Sequence, residues 1–432
     1  MRVVLISTYE LGRQPFGLAS PAAWLRAQSH QVTCADLSVQ ALPEDAIRRA
    51  GLVAFYLPMH TAARLAVKVI EKVKALNASA RLCCYGLYAP LNETYLREIG
   101  VDEIIGGEFE ARLVELAGGG RGGSVVSLEK LRFLTPERGD LPSLDSYAKL
   151  GGSIRSGYTE ASRGCKHLCR HCPIVPVYNG AFRVVQPDVV LEDIRRQVAA
   201  GAGHITFGDP DFFNGPAHAM RIVESLHSEF PGVTYDATIK IEHLRKHRDL
   251  LPALKRTGCL FVTSAAESID DAVLEKLDKG HTRADFIEAV RHFQSLGLTL
   301  APTFIPFTPW TTVESYRELL QCLLELELAE SVSPIQLALR LLIPAGSRLL
   351  ELEDIRDVIE SFDAPALLHR WRHSDPQIDD LAKRVFQAAS RKAPRRELFH
   401  DIWEEAHGAP PPENFNLIPR AAIPYMDEPW YC

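Results

Sequence analysis

The chain has no apolar stretch reaching the roughly 18 residues that a membrane-spanning helix needs, so no membrane partner is expected. It has no excess of positive charge either. Its 48 Lys and Arg stand against 55 Asp and Glu, a formal charge of −7, which argues against a general nucleic-acid binder. The basic run Arg391, Lys392, Arg395 and Arg396 is short, is followed by Glu397 and reads as a solvated helix end. No export signal is expected: "MRVVLIST" is too short for a signal-peptide core, has no small-residue cleavage site and reads as a strand. There is no internal repeat. Cysteine is scarce, nine in 432 residues. Without export the expected compartment is the reducing cytoplasm, where clustered cysteines serve as metal ligands or catalytic groups rather than disulfides.

What is present is a soluble α/β pattern too long for one hydrophobic core. Residues 1–117 alternate apolar runs at 3–7, 31–36, 52–57, 81–86 and 102–105 with amphipathic stretches such as "TAARLAVKVIEKVKAL". This predicts a doubly wound parallel sheet with helices on both faces. "GGGRGG" opens a linker at 118–157. From 158 to 350 six further βα units, with strands at "YTEAS", "HITFGD", "TYDATIK", "CLFVTSAAES", "LTLAPTFI" and "IQLALRLL", predict a partial barrel. Its chemistry belongs on loops at the carboxyl ends of the strands. Residues 351–408 read as helical, and 409–432 form a Pro-rich tail ending in Cys432.

Three of the nine cysteines stand in "SRGCKHLCRHCPIVPVYNG", just after the first barrel strand: Cys165, Cys169 and Cys172, with no fourth nearby. Three thiolates on one short loop can hold three irons of a 4Fe-4S cluster and leave the fourth iron open to a substrate or cofactor. The rival reading is a Cys₃His zinc site completed by His167 or His171. Crowding of every ligand into eight residues, with no second knuckle elsewhere, favours iron–sulfur.

Cys-x₃-Cys-x₂-Cys after the first strand of a six-unit barrel resembles the signature of the radical S-adenosylmethionine (radical SAM) superfamily. The resemblance implies an enzyme, a 4Fe-4S cluster on Cys165, Cys169 and Cys172, and SAM chelated to the open iron. It also implies a small-molecule substrate and a reductant such as flavodoxin or ferredoxin. His171 stands where the family often has an aromatic residue, a departure expected to affect packing alone. In "FGDPDFF", Gly208, Asp209, Pro210 and Asp211 match the family's motif for the SAM amino group; the same residues also compose a good βα turn. Ser264 and Glu267 are candidates for the ribose hydroxyls, with a helix N-terminal acid as the alternative for Glu267. Lys240 is a candidate for the SAM carboxylate, against a plain surface lysine. "LLIPAGSRL" resembles the family's turn after the sixth strand. The strands look apolar, which suits a radical intermediate that must avoid solvent.

The first domain, through "GVDEIIGGEFEARLVEL", resembles the B12-binding domain that precedes many radical SAM barrels. The lower-ligand motif Asp-x-His-x-x-Gly is absent, since the first loop reads "STYELGRQPFG". His60 in "LPMHTAAR" lies outside that motif. Cobalamin therefore stays open as a cofactor. The terminal "EPWYC" looks like the tail of a radical SAM group whose chains continue with Cys or selenocysteine and then Ala-Glu-Pro, which raises a possible selenoprotein. That group is related to organoarsenical biosynthesis, and the resemblance implies transfer of the 3-amino-3-carboxypropyl arm of SAM to arsenite, with Cys432 as a thiol for arsenic. The alternatives are a cobalamin-dependent radical SAM methyltransferase and, from another class, a non-catalytic metal or metalloid sensor using Cys83, Cys84 and Cys432.

Overall fold

The structure is a computed structural model that describes residues 1–412 and Met426. The N-terminal part is a parallel sheet of β1 (Arg2–Ser7), β2 (Gln31–Asp36), β3 (Leu52–Tyr56), β4 (Arg81–Tyr85), β5 (Glu103–Gly107) and β6 (Val126–Ser127), in the order β2-β1-β3-β4-β5-β6. Its strands read as near-continuous apolar runs because both faces are covered. Val4, Ile6, Val53 and Phe55 enter one core, while Val3, Leu5, Leu52 and Ala54 enter the other. Helix His60–Leu76 covers the first face with Ala63, Ala66, Ile70 and Val73, spaced by turns of the helix. Helices Phe16–Ala27 and Glu110–Ala117 cover the second.

The second sheet comprises β7 (Lys149–Leu150), β8 (Ile154–Thr159), β11 (His204–Phe207), β12 (Thr234–Thr238), β13 (Cys259–Glu267) and β14 (Thr299–Phe304), in the order β14-β13-β12-β11-β8-β7. All pairings are parallel except the β7–β8 hairpin. Between β8 and β11 lies a short antiparallel pair, β9 (Ser162–Gly164) with β10 (Phe182–Val184). The first barrel strand begins four residues earlier than expected and stops at Thr159.

The sixth expected strand does not form. "IQLALRLL" opens instead with a 3₁₀ turn, Pro334–Leu337, and only Arg340 bridges to Phe307. Pro334 cannot donate to a ladder, and the side chain of Gln336 accepts the Phe304 N–H at 3.3 Å in place of a strand. The linker is also built in: Phe133, Leu141 and Leu144 are buried, and Arg138 forks onto Asp193 at 2.9 Å.

The C-terminal region is not purely helical. Helices Pro376–Ala389 and Arg395–His407 pack on the barrel's outer core through Leu381, Val385, Phe399 and Ile402. They follow an antiparallel hairpin, β15 (Ile359–Asp363) with β16 (Leu368–Trp371). Its turn pushes Leu367 into the core of the N-terminal domain, and Ala366 accepts a hydrogen bond from His60 Nε2 at 2.7 Å. Among the described residues no helix is long and apolar enough to cross a membrane.

Candidate active site

The two sheets point their carboxyl ends at one another. Between them lies a cavity of about 390 Å³. Its N-terminal wall comes from the loops after β1, β3, β4 and β5, including Glu10, Met59, Leu87 and Phe109. Its opposite wall is the barrel lumen.

The cysteine loop leaves β9 at the rim of this cavity. Gly164 turns the chain there with φ +74°, and a Cβ would meet the Tyr178 ring at 2.4 Å and Ala181 O at 2.6 Å, so only glycine fits. The loop is then pinned by its neighbours. Arg170 N–H donates to Leu277 O at 2.9 Å, Ser347 Oγ to Arg170 O at 3.1 Å and Arg348 Nη1 to Leu168 O at 3.0 Å. Burial pushes the Cys165 thiol up to about 11 and the Cys172 thiol up to about 12, so holding thiolates here calls for positive charge. Lys279 supplies it. Burial opposes this ammonium, yet Glu267, Cys169 and Cys172 beside it keep its pKa above the ordinary value.

A single zinc ion would draw its sulfurs to about 4 Å of one another. Among the described residues the group of donors lying within 4.8 Å is Cys165, His167 and Asp211, not the three thiols. The wider spacing of the cysteines suits a multi-iron cluster, and all three are free.

The other expected site residues divide. Asp211 is buried behind Cys165. Its Oδ2 lies 2.6 Å from His243 Nδ1 and 3.6 Å from His167 Nε2, and these imidazoles hold its carboxyl well below the usual range against the burial that would raise it. Lys240 caps helix Ile241–Lys246, is nearly buried, faces Cys165 and reaches Glu242 at 3.1 Å; it is not a surface lysine. Glu267 ends β13 with φ +66°, rare for a side chain this large. Its Oε1 takes His171 Nε2 at 3.1 Å and Lys279 Nζ at 3.4 Å, and these neighbours hold the carboxyl down at about 2 despite burial. His171 therefore bridges the loop to β13, a role beyond packing. Pro210 lines the cavity.

Three of the expected residues are also engaged within the protein. Asp209 takes no part in the cavity wall: its carboxylate accepts Ala161 N–H at 2.8 Å and Ser162 Oγ–H at 2.5 Å, clamping the β11 turn to the chain that leads into the loop. Gly208 lines the cavity, and a Cβ there would lie 2.0 Å from Tyr158 Oη. Ser264 donates to Ile239 O at 2.6 Å and is fully buried, while its neighbour Thr263 lines the lumen. Cys432 lies outside the described residues. Cys83 and Cys84 are wholly buried on opposite faces of β4, where they cannot act as sensing thiols.

Sequence reasoning missed Lys279, the Glu267–His171 bridge and His281, whose two buried ring nitrogens have no protein partner. Together with Lys240 they place spare donors and a carboxylate beside the loop, a set that fits the amino and carboxylate groups of SAM.

Residues 159–323 match the family model of the radical SAM superfamily. The barrel is a radical SAM domain. This makes the chain an enzyme whose cofactors are a 4Fe-4S cluster and SAM. The chain is 25% identical over 320 residues to the hopanoid C-3 methylase of Methylococcus capsulatus, covering 69% of this chain and 62% of that one. It is 26% identical over 236 residues to the bacteriochlorophyllide d C-12(1)-methyltransferase of Chlorobaculum tepidum, covering 53% and 50%. It thus spans less than two thirds of the length of these curated relatives. Among solved structures, the cobalamin-dependent S-adenosylmethionine radical enzyme OxsB superposes with a TM-score of 0.70 at 14% identity, covering 89% of this chain and 66% of that one. The radical S-adenosylmethionine methyltransferase TsrM from Kitasatospora setae does so at 0.65 and 15%, covering 91% and 89%. At such identity the likeness is one of fold, and it runs through both domains.

Proposed function

We propose that the chain is a cobalamin-dependent radical SAM methyltransferase acting on a small molecule. The observation that carries this reading is the cavity closed between the carboxyl ends of two parallel sheets, with the cysteine loop at its rim. Cys165, Cys169 and Cys172 would hold the cluster, which supplies an electron to the SAM sulfonium. Lys240, Lys279 and Glu267 would orient SAM. Cobalamin would serve as methyl carrier on the N-terminal wall, held by Leu11, Met59, Leu87 and Phe109. Among the described residues no histidine lines that wall, and His60 is bonded to Ala366 O, so the corrinoid would bind without an imidazole ligand. A flavodoxin or ferredoxin would deliver the electron.

The second reading, aminocarboxypropyl transfer to arsenite, is favoured by one placement: Met426, six residues before Cys432, packs on the cavity wall. No described cysteine lines the cavity, so this reading rests on the tail thiol.

Anaerobic reconstitution with SAM, dithionite and hydroxocobalamin, with and without arsenite, separates the two. Methyl transfer gives S-adenosylhomocysteine and 5′-deoxyadenosine; arm transfer gives methylthioadenosine and needs arsenite. Replacing all three loop cysteines with alanine should abolish iron binding and SAM cleavage together. Unchanged iron content in that variant would overturn both readings.

A further inference from the structure

Two left-handed residues bracket Lys279. Asp278 has φ +56° and Gly280 φ +69°, so the chain turns twice between helix Asp271–Lys276 and helix Arg283–Leu296. The second turn requires glycine: a Cβ on Gly280 would lie 2.7 Å from Glu242 Oε2 and 3.5 Å from Lys240 Nζ. The segment is also stitched to the cysteine loop, because Arg170 Nη1 donates to Glu275 O at 3.1 Å and to Lys276 O at 2.9 Å. The residue that follows this fixed turn is His281. Thr282 then caps the next helix, its Oγ1 accepting the Asp285 N–H at 3.2 Å.

His281 is 6% exposed, and both of its ring nitrogens are buried without a hydrogen-bond partner. Leaving two polar atoms of one ring unmet is costly unless a ligand meets them. Two ion pairs stand beside the ring. Lys240 reaches Glu242 at 3.1 Å, and Lys279 reaches Glu267 at 3.4 Å. The two ammoniums also face the cysteine thiols, Lys240 that of Cys165 and Lys279 those of Cys169 and Cys172. His171, from the cysteine loop itself, meets Glu267 at 3.1 Å. Burial pushes the His281 pKa down to about 4, and Lys279 and Lys240 add to this against the pull of the Lys279 backbone and Glu267. The ring is therefore neutral near pH 7 and keeps one N–H donor and one bare acceptor nitrogen.

Each ammonium beside His281 has a carboxylate of its own, a balance that suits a zwitterion better than an ion of either sign. The methionyl head of SAM brings a carboxylate that accepts hydrogen bonds and an amino group that donates them. We propose that His281 is a SAM-binding residue that grips this head, one ring nitrogen donating to the carboxylate and the other accepting from the amino group. An ammonium can serve only the first of these groups and an ionised carboxylate only the second, whereas a neutral imidazole serves both. The inference rests on SAM binding at the cysteine loop, which both transfer readings share, and it holds whichever group is transferred.

The test uses the full chain with its cluster reconstituted and left oxidised, so that SAM binds without being cleaved. Equilibrium dialysis compares SAM with methylthioadenosine, which lacks the methionyl head. His281→Phe should keep its iron and bind SAM about tenfold or more weakly, while methylthioadenosine binds as in the wild type. His281→Asn, which keeps a donor and an acceptor, should recover part of the affinity. In His281→Ala, added imidazole should strengthen SAM binding and leave methylthioadenosine binding unchanged. Should His281→Phe lose its iron, the alanine variant with and without imidazole decides. An equal loss for both ligands, SAM binding unchanged in the variants, or imidazole without effect would each overturn the proposal. Absence of SAM binding in the wild type would instead sink the SAM site itself, a result that the variants do not share.

Discussion

Glu108, Glu110 and Glu160 share one guanidinium. Arg163 meets Glu110 at 2.6 Å, Glu160 at 2.6 Å and Glu108 at 3.4 Å, all four side chains being nearly sealed from water. One positive charge cannot satisfy three carboxylates, and the weakest contact yields: burial pushes Glu108 up to about 7, with Glu110 adding to it against the pull of Arg163. The folded value lies above that of an exposed glutamate, ~4.3, so the native state holds this proton more tightly than the unfolded chain. Its contribution is intact below about pH 4 and is lost as pH rises toward 7. The loss amounts to about 3 kcal/mol across that window. Glu108→Gln mimics the protonated form and keeps an acceptor for Tyr178 Oη, which donates to Glu108 at 3.1 Å. The variant should match wild type in urea denaturation at pH 5 and exceed it at pH 8. An identical difference at both pH values would show that Glu108 does not carry the titration.

At the scale of the element, the β11 turn shows what a strand end does for the site. Gly208 N–H donates to Thr159 O at 2.8 Å, which brings β11 close enough to β8 for Tyr158 to fill the space over the glycine. Gly208→Ala should cost about 1–3 kcal/mol by overpacking and weaken SAM cleavage with it. Adding Tyr158→Leu should restore much of the stability. If Gly208 served a ligand's approach instead, the double variant would regain stability and still fail to bind SAM. This turn also marks how far the sequence could be read. The strands of the first sheet and the cysteine loop were legible because continuous apolar runs and ligand spacing are local signals. The lumen-facing Thr206 and Thr238 were present in "HITFGD" and "TYDATIK" too, but an alternating strand does not announce which face is the lumen. Asp209 and Asp211 are two residues apart and look equivalent in sequence. One clamps a turn and the other backs Cys165, a distinction set by His243 and Ser162, which arrive from other elements. The sixth strand failed for a local reason, Pro334, that its apolar composition masked. Lys279 reaches the loop from beyond β13, so no spacing rule pointed to it.

At the scale of the whole molecule, the site exists only while the two domains stay docked, because each contributes one wall of the cavity. The sequence suggested a flexible break between them, yet the linker is packed and a charged staple crosses the junction. Arg163, on β9 of the barrel, reaches Glu108 and Glu110 of the N-terminal domain while its guanidinium lies 4.6 Å from the Phe109 ring centroid and 5.1 Å from that of Phe133. Rings from the first domain and from the linker therefore hold the cation whose charge the acids need. Arg163→Met keeps much of the volume against those rings but strips the carboxylates of their partner, and removing one side of a buried ion pair costs about 3–5 kcal/mol. The loss should fall on the junction more than on either core, since Arg163 touches each core only at its edge, through Phe109 and Phe133. Denaturation of the variant should then split into two transitions where wild type shows one. Limited proteolysis should open first within residues 118–125, ahead of any cut in the barrel. The cysteine loop should still take up iron, because its pinning contacts come from the barrel itself, while SAM cleavage coupled to transfer falls. A single cooperative transition at lowered denaturant would mean that the domains depend on the staple for folding and not merely for docking.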